Sequence, residues 1–237
     1  MTIIKINLFI MVFGLFITNA FAEDIHKDHG GATYHAFWLE AQHGGGREGD
    51  KSHVEWDGWI GGDTHKLWLK GELEGHKGQL EESEVWALYS RNVADFWDLQ
   101  LGLRHDSQPE STRYAVVGFN GLAPYLFETQ AHLFVSDYGD ISARLKQKNH
   151  LLFTQRFGFE PYYELNFTAH NLARQSLGRG LSDGEIGVKL FYEITRKLVP
   201  YIDLRYERKF GRTASIARNV GESEEDWVAS LGIKFLF

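Results

Sequence analysis

The 237-residue chain has no cysteine, four prolines and only two methionines, Met1 and Met11. The absence of cysteine excludes disulfides, thiol catalysis and cysteine-based zinc sites. After residue 22 the sequence contains no apolar run near the roughly 20 residues that a membrane-spanning helix needs. The formal net charge of −7 has the wrong sign for a nucleic-acid-binding surface, so no nucleic-acid partner is expected.

Glycine and aromatic residues are abundant, with 25 glycines and an aromatic content of 14%. This bulk excludes a disordered chain. Much glycine and aromatic bulk with little proline favours a large twisted sheet over a helical bundle.

The first 22 residues have the pattern of an export signal. Lys5 precedes an apolar run from Leu8 to Ile17, and residues 20–22, Ala-Phe-Ala, fit an A-x-A cleavage site. We therefore predict a signal peptide at 1–22, a short periplasmic arm at 23–34 and a β-barrel at 35–237.

Period-2 alternation recurs through the rest of the chain. In 97–105, for example, Leu99, Leu101 and Leu103 oppose Gln100 and Arg104. The pattern predicts about twelve strands, near 34–43, 52–60, 64–75, 83–91, 96–105, 113–121, 124–136, 139–152, 155–169, 183–195, 199–209 and 226–237. Short connections near 61–63, 92–95, 122–123, 153–154 and 196–198 alternate with longer ones at 44–51, 76–82, 106–112, 170–182 and 210–225. The sequence thus predicts an all-β, antiparallel transmembrane barrel with a polar interior.

The inside and outside of such a barrel cannot be told from composition, because a soluble sandwich or lipocalin has the opposite polarity. Three features favour the outer membrane. The polar faces carry both charge signs, and the sequence ends in alternation and the aromatic Phe237, which predicts contact with the barrel-assembly machinery. Aromatic residues stand at strand ends, where they would form an interfacial girdle in contact with outer-membrane lipid: Trp59, Trp97, Tyr125, Tyr201 and Trp227.

Six segments carry a family resemblance: EWDGWIGGDTHKLWLKGELEG at 55–75, EVWALYSRNVADFWDLQLGLRHD at 84–106, GFNGLAPYLFETQAHLFVSDYGDISARL at 118–145, LLFTQRFGFEPYYELNF at 151–167, GRGLSDGEIGVKLFYEI at 178–194 and PYIDLRYERKFGRTASIAR at 200–218. In this order and spacing, the chain resembles the copper resistance protein B family over 35–237. The resemblance implies an outer-membrane barrel that binds copper ions and acts in copper homeostasis, with a periplasmic copper oxidase or carrier as a partner.

The chain departs from this family in front of the barrel. Many members carry a periplasmic extension rich in methionine and histidine, whereas here the segment is EDIHKDHGGATY, with His26 and His29 and no methionine. Without mature cysteine or methionine, copper must be bound by imidazole, carboxylate or backbone groups. Such ligands favour Cu(II) over Cu(I).

Candidate metal ligands fall in two places. His26 and His29 bracket a carboxylate on the arm, and His35 follows at the first strand, although a solvated linker would explain the arm equally well. Inside the barrel, Glu128 and His132 could serve a cation path. Their alternative is a charge-compensated plug, to which Glu55, Asp57 and the other inward polar residues belong.

An enzyme is not expected. Catalysis at the outer wall of a barrel needs a nucleophile and a histidine base on the lipid-facing side, whereas His132 faces inward and no G-x-S-x-G motif is present. The sequence therefore predicts a copper-binding, copper-resistance barrel that moves or sequesters copper at the outer membrane. The alternative is a general structural or pore barrel without metal selectivity.

Overall fold

The computed structural model describes residues 33–237, nearly all of them in one antiparallel sheet. Its strands are β1 (Tyr34–Gly46), β2 (Gly49–Gly61), β3 (His65–His76), β4 (Gln79–Ala94), β5 (Trp97–Gln108), β6 (Thr112–Ala123), β7 (Phe127–Ser136), β8 (Ile141–Lys148), β9 (Leu151–Leu152), β10 (Phe157–Thr168), β11 (Gly180–Tyr192), β12 (Leu198–Lys209) and β13 (Glu225–Leu236). One helix, α1 (Gly211–Val220), lies between β12 and β13.

The sheet closes on itself. Strands that follow one another in the chain are paired, except β8 with β9, and β1 pairs with β13 to complete the ring. Strands β8 and β9 both pair with β10 in one register, so they form a single interrupted wall strand and the barrel has twelve. The predicted fold class and strand number are confirmed. In the part of the chain that the structure describes, no helix is long and apolar enough to span a bilayer.

Pro161 explains the interruption between β8 and β9. Tyr162 pairs with Lys148 and Gly158 with Leu152, which places Pro161 of β10 opposite Asn149. The amide of Asn149 donates to the Pro161 carbonyl at 3.0 Å. Proline has no amide hydrogen to return the bond, so the ladder is broken there without a change of register.

The connections define two rims. The short-turn rim holds the start of β1 and the turns at 62–64, 95–96, 124–126, 153–156 and 193–197, and the long-loop rim holds all the others. The predicted long connections at 44–51, 76–82 and 106–112 are wrong, because the strands continue and turn at 47–48, 77–78 and 109–111. Gly49 and Gly78, with φ of 130° and 78°, take backbone conformations that permit two of these tight hairpins. Loops at 169–179 and 210–224 remain long.

The strand alternation separates an apolar outer face from a mostly polar interior. On β5, Leu101 and Leu103 are 48% and 67% exposed on the outside, whereas Gln100 has no exposed surface. Part of the interior is nevertheless apolar, because Trp68, Trp86, Leu88, Tyr114, Val116 and Phe134 pack together there.

Two residues of the predicted aromatic girdle lie elsewhere. Tyr201 shares the inward face of β12 with Asp203 and is only 5% exposed. Trp59 packs against the internal apolar cluster, with its ring centroid 6.3 Å from that of Trp68. Tyr125 and Trp227 are exposed, as expected of interfacial residues. Strand-end position alone did not reveal on which face the rings at 59 and 201 lie.

Candidate metal centre in the barrel lumen

The lumen contains ion-pair networks that bridge distant strands. On one wall, the Arg144 guanidinium of β8 lies 2.8 Å from Glu84, 3.2 Å from Glu164 and 3.8 Å from Glu72. Arg104 joins the same network through Glu84, at 2.6 Å. Because breaking such a pair would leave a buried charge without its partner, this network stabilises the packing of β3, β4, β5, β8 and β10 around the lumen.

Two further networks join β1 and β2 to the last three strands, β11, β12 and β13. Arg205 of β12 lies 3.2 Å from Asp203 and 2.6 Å from Glu207, and Lys51 of β2 also reaches Glu207. Nearer the short-turn rim, the Glu40 carboxylate is held between Lys189 at 2.7 Å and Lys234 at 2.8 Å. The interior therefore balances most of its charge internally.

Two cavities nevertheless remain open within the lumen. One of about 510 Å³ opens toward the long-loop rim, and α1 contributes Thr213 and Ala217 to its lining. The other, of about 630 Å³, reaches the short-turn rim near Phe96 and His150. Both cavities are lined by the same five residues at their junction: His53, Glu72, Glu74, Glu185 and Arg205.

Three of these junction residues form a candidate metal centre, which we call the luminal triad: His53, Glu72 and Glu74. The antiparallel register of β2 and β3 pairs His53 with Glu74 and Glu55 with Glu72, all facing inward. His53 Nε2 lies 2.6 Å from Glu72 Oε1, and one ligating atom from each of the three residues lies within 4.8 Å of the other two. One imidazole and two carboxylates suit a borderline divalent cation.

The candidate ligands from the sequence lie apart from this triad. His26 and His29 lie outside the described residues. His35 is exposed at the start of β1 and pairs with Ile60, whose side chain is 51% exposed. Glu128 lines the larger cavity near the short-turn rim, 3.5 Å from Lys148.

His132 faces inward, as expected, but it is packed among other side chains. It is 3% exposed, its Nε2 lies 2.8 Å from Gln100 Oε1, and its ring meets Trp86 edge-on at 5.3 Å. It lines neither of the two large cavities. These contacts favour a structural role for His132.

Sequence reasoning did not single out the triad, although a sequence feature pointed to it. His53 stands two residues before Glu55 and four before Asp57, so all three share the inward face of β2. Glu72 and Glu74 share that of β3. Their convergence depends on the register between the two strands, which alternation alone does not specify.

The comparisons with known proteins point to one family. Residues 35–237 match the family model described as copper resistance protein B precursor. Copper resistance protein B of Escherichia coli is 38% identical over 194 residues, which cover 81% of this chain and 66% of the relative. The copper resistance protein B homolog of Pseudomonas syringae pv. tomato (strain ATCC BAA-871 / DC3000) is 39% identical over 180 residues, 75% of this chain and 60% of the relative. The matched part is thus less than two thirds of either relative.

Two solved structures with similar folds are porins. A NanC porin superposes with a TM-score of 0.56 at 14% sequence identity, covering 83% of this chain and 98% of the porin. A KdgM porin gives a TM-score of 0.54 at 12% identity, covering 84% and 98%. At these identities the likeness concerns the fold alone.

Proposed function

The chain belongs to the copper resistance protein B family, and from this premise we propose that it is an outer-membrane barrel that moves or holds copper ions in its lumen. Family membership supports a role in copper resistance. The observation that carries the luminal part of the proposal is the pair of cavities, which reach opposite rims and meet at a belt of three carboxylates, one histidine and one arginine. Carboxylate-lined constrictions are a common way for a pore to favour cations.

The proposed location is the outer membrane, reached by export through a signal peptide at 1–22. The porin-like fold and the exposed apolar wall support contact with lipid. We propose that the barrel-assembly machinery recognises the last strand through Phe237, whose side chain is 51% exposed. A periplasmic copper oxidase or carrier would then exchange copper at the short-turn rim.

We also propose that the arm at 23–34 captures copper, with His26 and His29 as ligands and His35 as a third candidate. The arm directly precedes β1, which starts at the short-turn rim. Copper that enters the barrel at the short-turn rim would meet Glu128, which lines the cavity that opens toward that rim. A mature chain without thiol or thioether groups favours Cu(II) as the bound form.

The porin-like fold and the copper resistance family favour a non-enzymatic role. The alternative function is a general pore without metal selectivity, which the porin-like fold would serve equally well. The two functions differ in what the cell loses when the protein is absent. A copper-specific phenotype would follow only from the first.

A deletion strain tests the proposal. We expect growth to become sensitive to copper but not to zinc or salt, and a plasmid copy of the gene to restore resistance. Equal sensitivity to copper, zinc and salt would contradict copper handling and favour the general pore. Full copper tolerance of the deletion strain would also contradict it.

A further inference from the structure

We propose that the luminal triad binds one Cu(II) ion, with Gln42 as the residue that orients the imidazole of His53. The identity of the ion rests on the proposed function, whereas the existence of a divalent-cation site rests on the structure. The site lies inside the barrel, on β2 and β3. Four observations on this cluster support it.

The first observation is geometric. Gln42, His53 and Glu74 are direct cross-strand neighbours on β1, β2 and β3, and Glu72 lies diagonal to His53. The three ligating atoms lie within 4.8 Å of one another. Ligands on opposite sides of an ion at about 2.0–2.2 Å are about 4 Å apart, so small side-chain rotations suffice to bring all three to one ion.

The second observation concerns charge. Glu72 is paired with His53 and lies 3.8 Å from Arg144. Within residues 33–237, neither Glu74 nor its neighbour Glu82 has a cationic side chain within 4.0 Å, although most other luminal carboxylates do. A carboxylate beside another carboxylate in a confined lumen is stabilised by a counter-charge or by a proton. A divalent cation at the triad would supply the counter-charge.

The third observation is an acceptor without a partner. Gln42 is only 8% exposed, its Nε2 lies 3.1 Å from His53 Nδ1, and its Oε1 has no hydrogen-bond partner. In this arrangement Nδ1 accepts from Gln42, so Nε2 carries the hydrogen and donates to Glu72. The acceptor oxygen of Gln42 is left unused.

A rotation of the Gln42 amide by half a turn would give its oxygen a partner. Its Oε1 would then accept from Nδ1–H of His53, and the lone pair of Nε2 would be free to bind an ion between Glu72 and Glu74. Histidines that bind metals usually donate their other ring hydrogen to an acceptor, which fixes the tautomer. Gln42 thus allows His53 to switch between donating to Glu72 and binding a metal.

The fourth observation is position. All three members of the luminal triad line both cavities. An ion bound there would be reachable from either rim. The site therefore lies where the two cavities of the lumen meet.

Copper titration of the purified full mature protein in detergent tests the site. The background variant His26→Ala/His29→Ala removes the proposed arm ligands, and copper sulfate alone is the probe. We expect this variant to bind one Cu(II), with nitrogen coupling from a single imidazole in its electron paramagnetic resonance spectrum. Adding His53→Ala should abolish that coupling. Adding Glu74→Gln or Gln42→Leu should weaken binding about 10- to 100-fold.

The control is Glu81→Gln, which removes a charge at a position on β4 that is 59% exposed. It should bind copper as the background does. Retention of heat-modifiable gel mobility verifies that each variant is folded. If His53→Ala fails to fold, the near-isosteric Glu74→Gln still tests the site. Unchanged affinity in Glu74→Gln together with an unchanged spectrum in any folded His53 variant would overturn the site.

The two proposals fail separately. Copper binding that depends on the triad, without a copper phenotype on deletion, would reject the proposed function and keep the site. A copper phenotype with binding that is indifferent to Glu74 would keep the function and reject the site.

Discussion

The hydroxyl of Tyr162 donates to the carboxylate of Asp203 across an intervening strand, with oxygen–oxygen distances of 2.9 and 3.1 Å. Tyr162 belongs to β10 and Asp203 to β12, so the ring must cross β11. Gly187 makes this possible, because a Cβ atom there would lie 2.5 Å from the Tyr162 ring. The contact links three strands through one side chain.

This relationship predicts that Tyr162→Phe destabilises the barrel by about 1–3 kcal/mol, because buried Asp203 loses a donor. The neighbouring Tyr163 provides a matched control. It faces outward and donates to Gln147, which is only partly buried, so Tyr163→Phe should cost clearly less. Urea unfolding of the two variants in lipid vesicles compares them, and equal losses would contradict a special role for the internal hydroxyl.

Leu101 lies near the middle of β5 on the apolar outer face. Leu101→Arg should reduce insertion, because a cation at the bilayer midplane of a barrel wall costs about 2–4 kcal/mol. Tyr125→Arg is the control, at a turn of the short-turn rim where the side chain is 88% exposed. The measurement is the fraction of heat-modifiable barrel in outer-membrane preparations. Equal insertion of both variants would mean that the outer wall does not face lipid.

His132 and Gln100 form a buried pair beside Trp86. We expect His132→Ala to lower the free energy of unfolding by about 1–3 kcal/mol, because Gln100 loses its partner inside the barrel. Copper binding should be unchanged, since His132 lines neither large cavity. Calorimetric titration of the folded variant measures this, and a marked loss of copper affinity would make His132 a ligand.

The arm should contribute a separate binding event. His26→Ala/His29→Ala is expected to remove this event while the luminal one remains, because the luminal triad lies on β2 and β3. Binding by the arm should also decline as pH falls through the ordinary imidazole range near ~6.5, since a protonated ring cannot bind a metal. Copper titrations of wild type and the double variant at neutral and acidic pH measure both effects. Identical titrations would exclude the arm as a copper ligand.

Much of the fold could be predicted from alternation. The inward and outward residues of β5, β12 and β13 follow directly from the period of two, because a strand with one apolar face admits a single orientation. Three tight hairpins at the long-loop rim, at 47–48, 77–78 and 109–111, could not be predicted, because their strands continue into polar sequence beyond the membrane band. The polar residues there face water, and they do not mark the end of the hydrogen-bonded strands.

The candidate site could be predicted only in part. Glu55 and Asp57 were expected on the inner face, and the structure confirms this, because both side chains line the lumen. The meeting of His53 with Glu72 and Glu74 depends on which residues of β2 and β3 are paired. That pairing follows from the turn at 62–64, and no local pattern in either strand encodes it.

Pro161 leaves the wall one backbone bond short at its pair with Asn149. The Asn149 amide donates to the Pro161 carbonyl, but Pro161 has no amide hydrogen for the carbonyl of Asn149. Hydrogen-bonded antiparallel pairs are normally joined by two such bonds, so opening this pair requires fewer bonds to break together. His150 stacks on Phe191 beside it, with ring centroids 4.3 Å apart. Deuterium should therefore replace the amide hydrogen of Asn149 before those of the flanking strands β8 and β10, and opening of the barrel wall would begin at this pair.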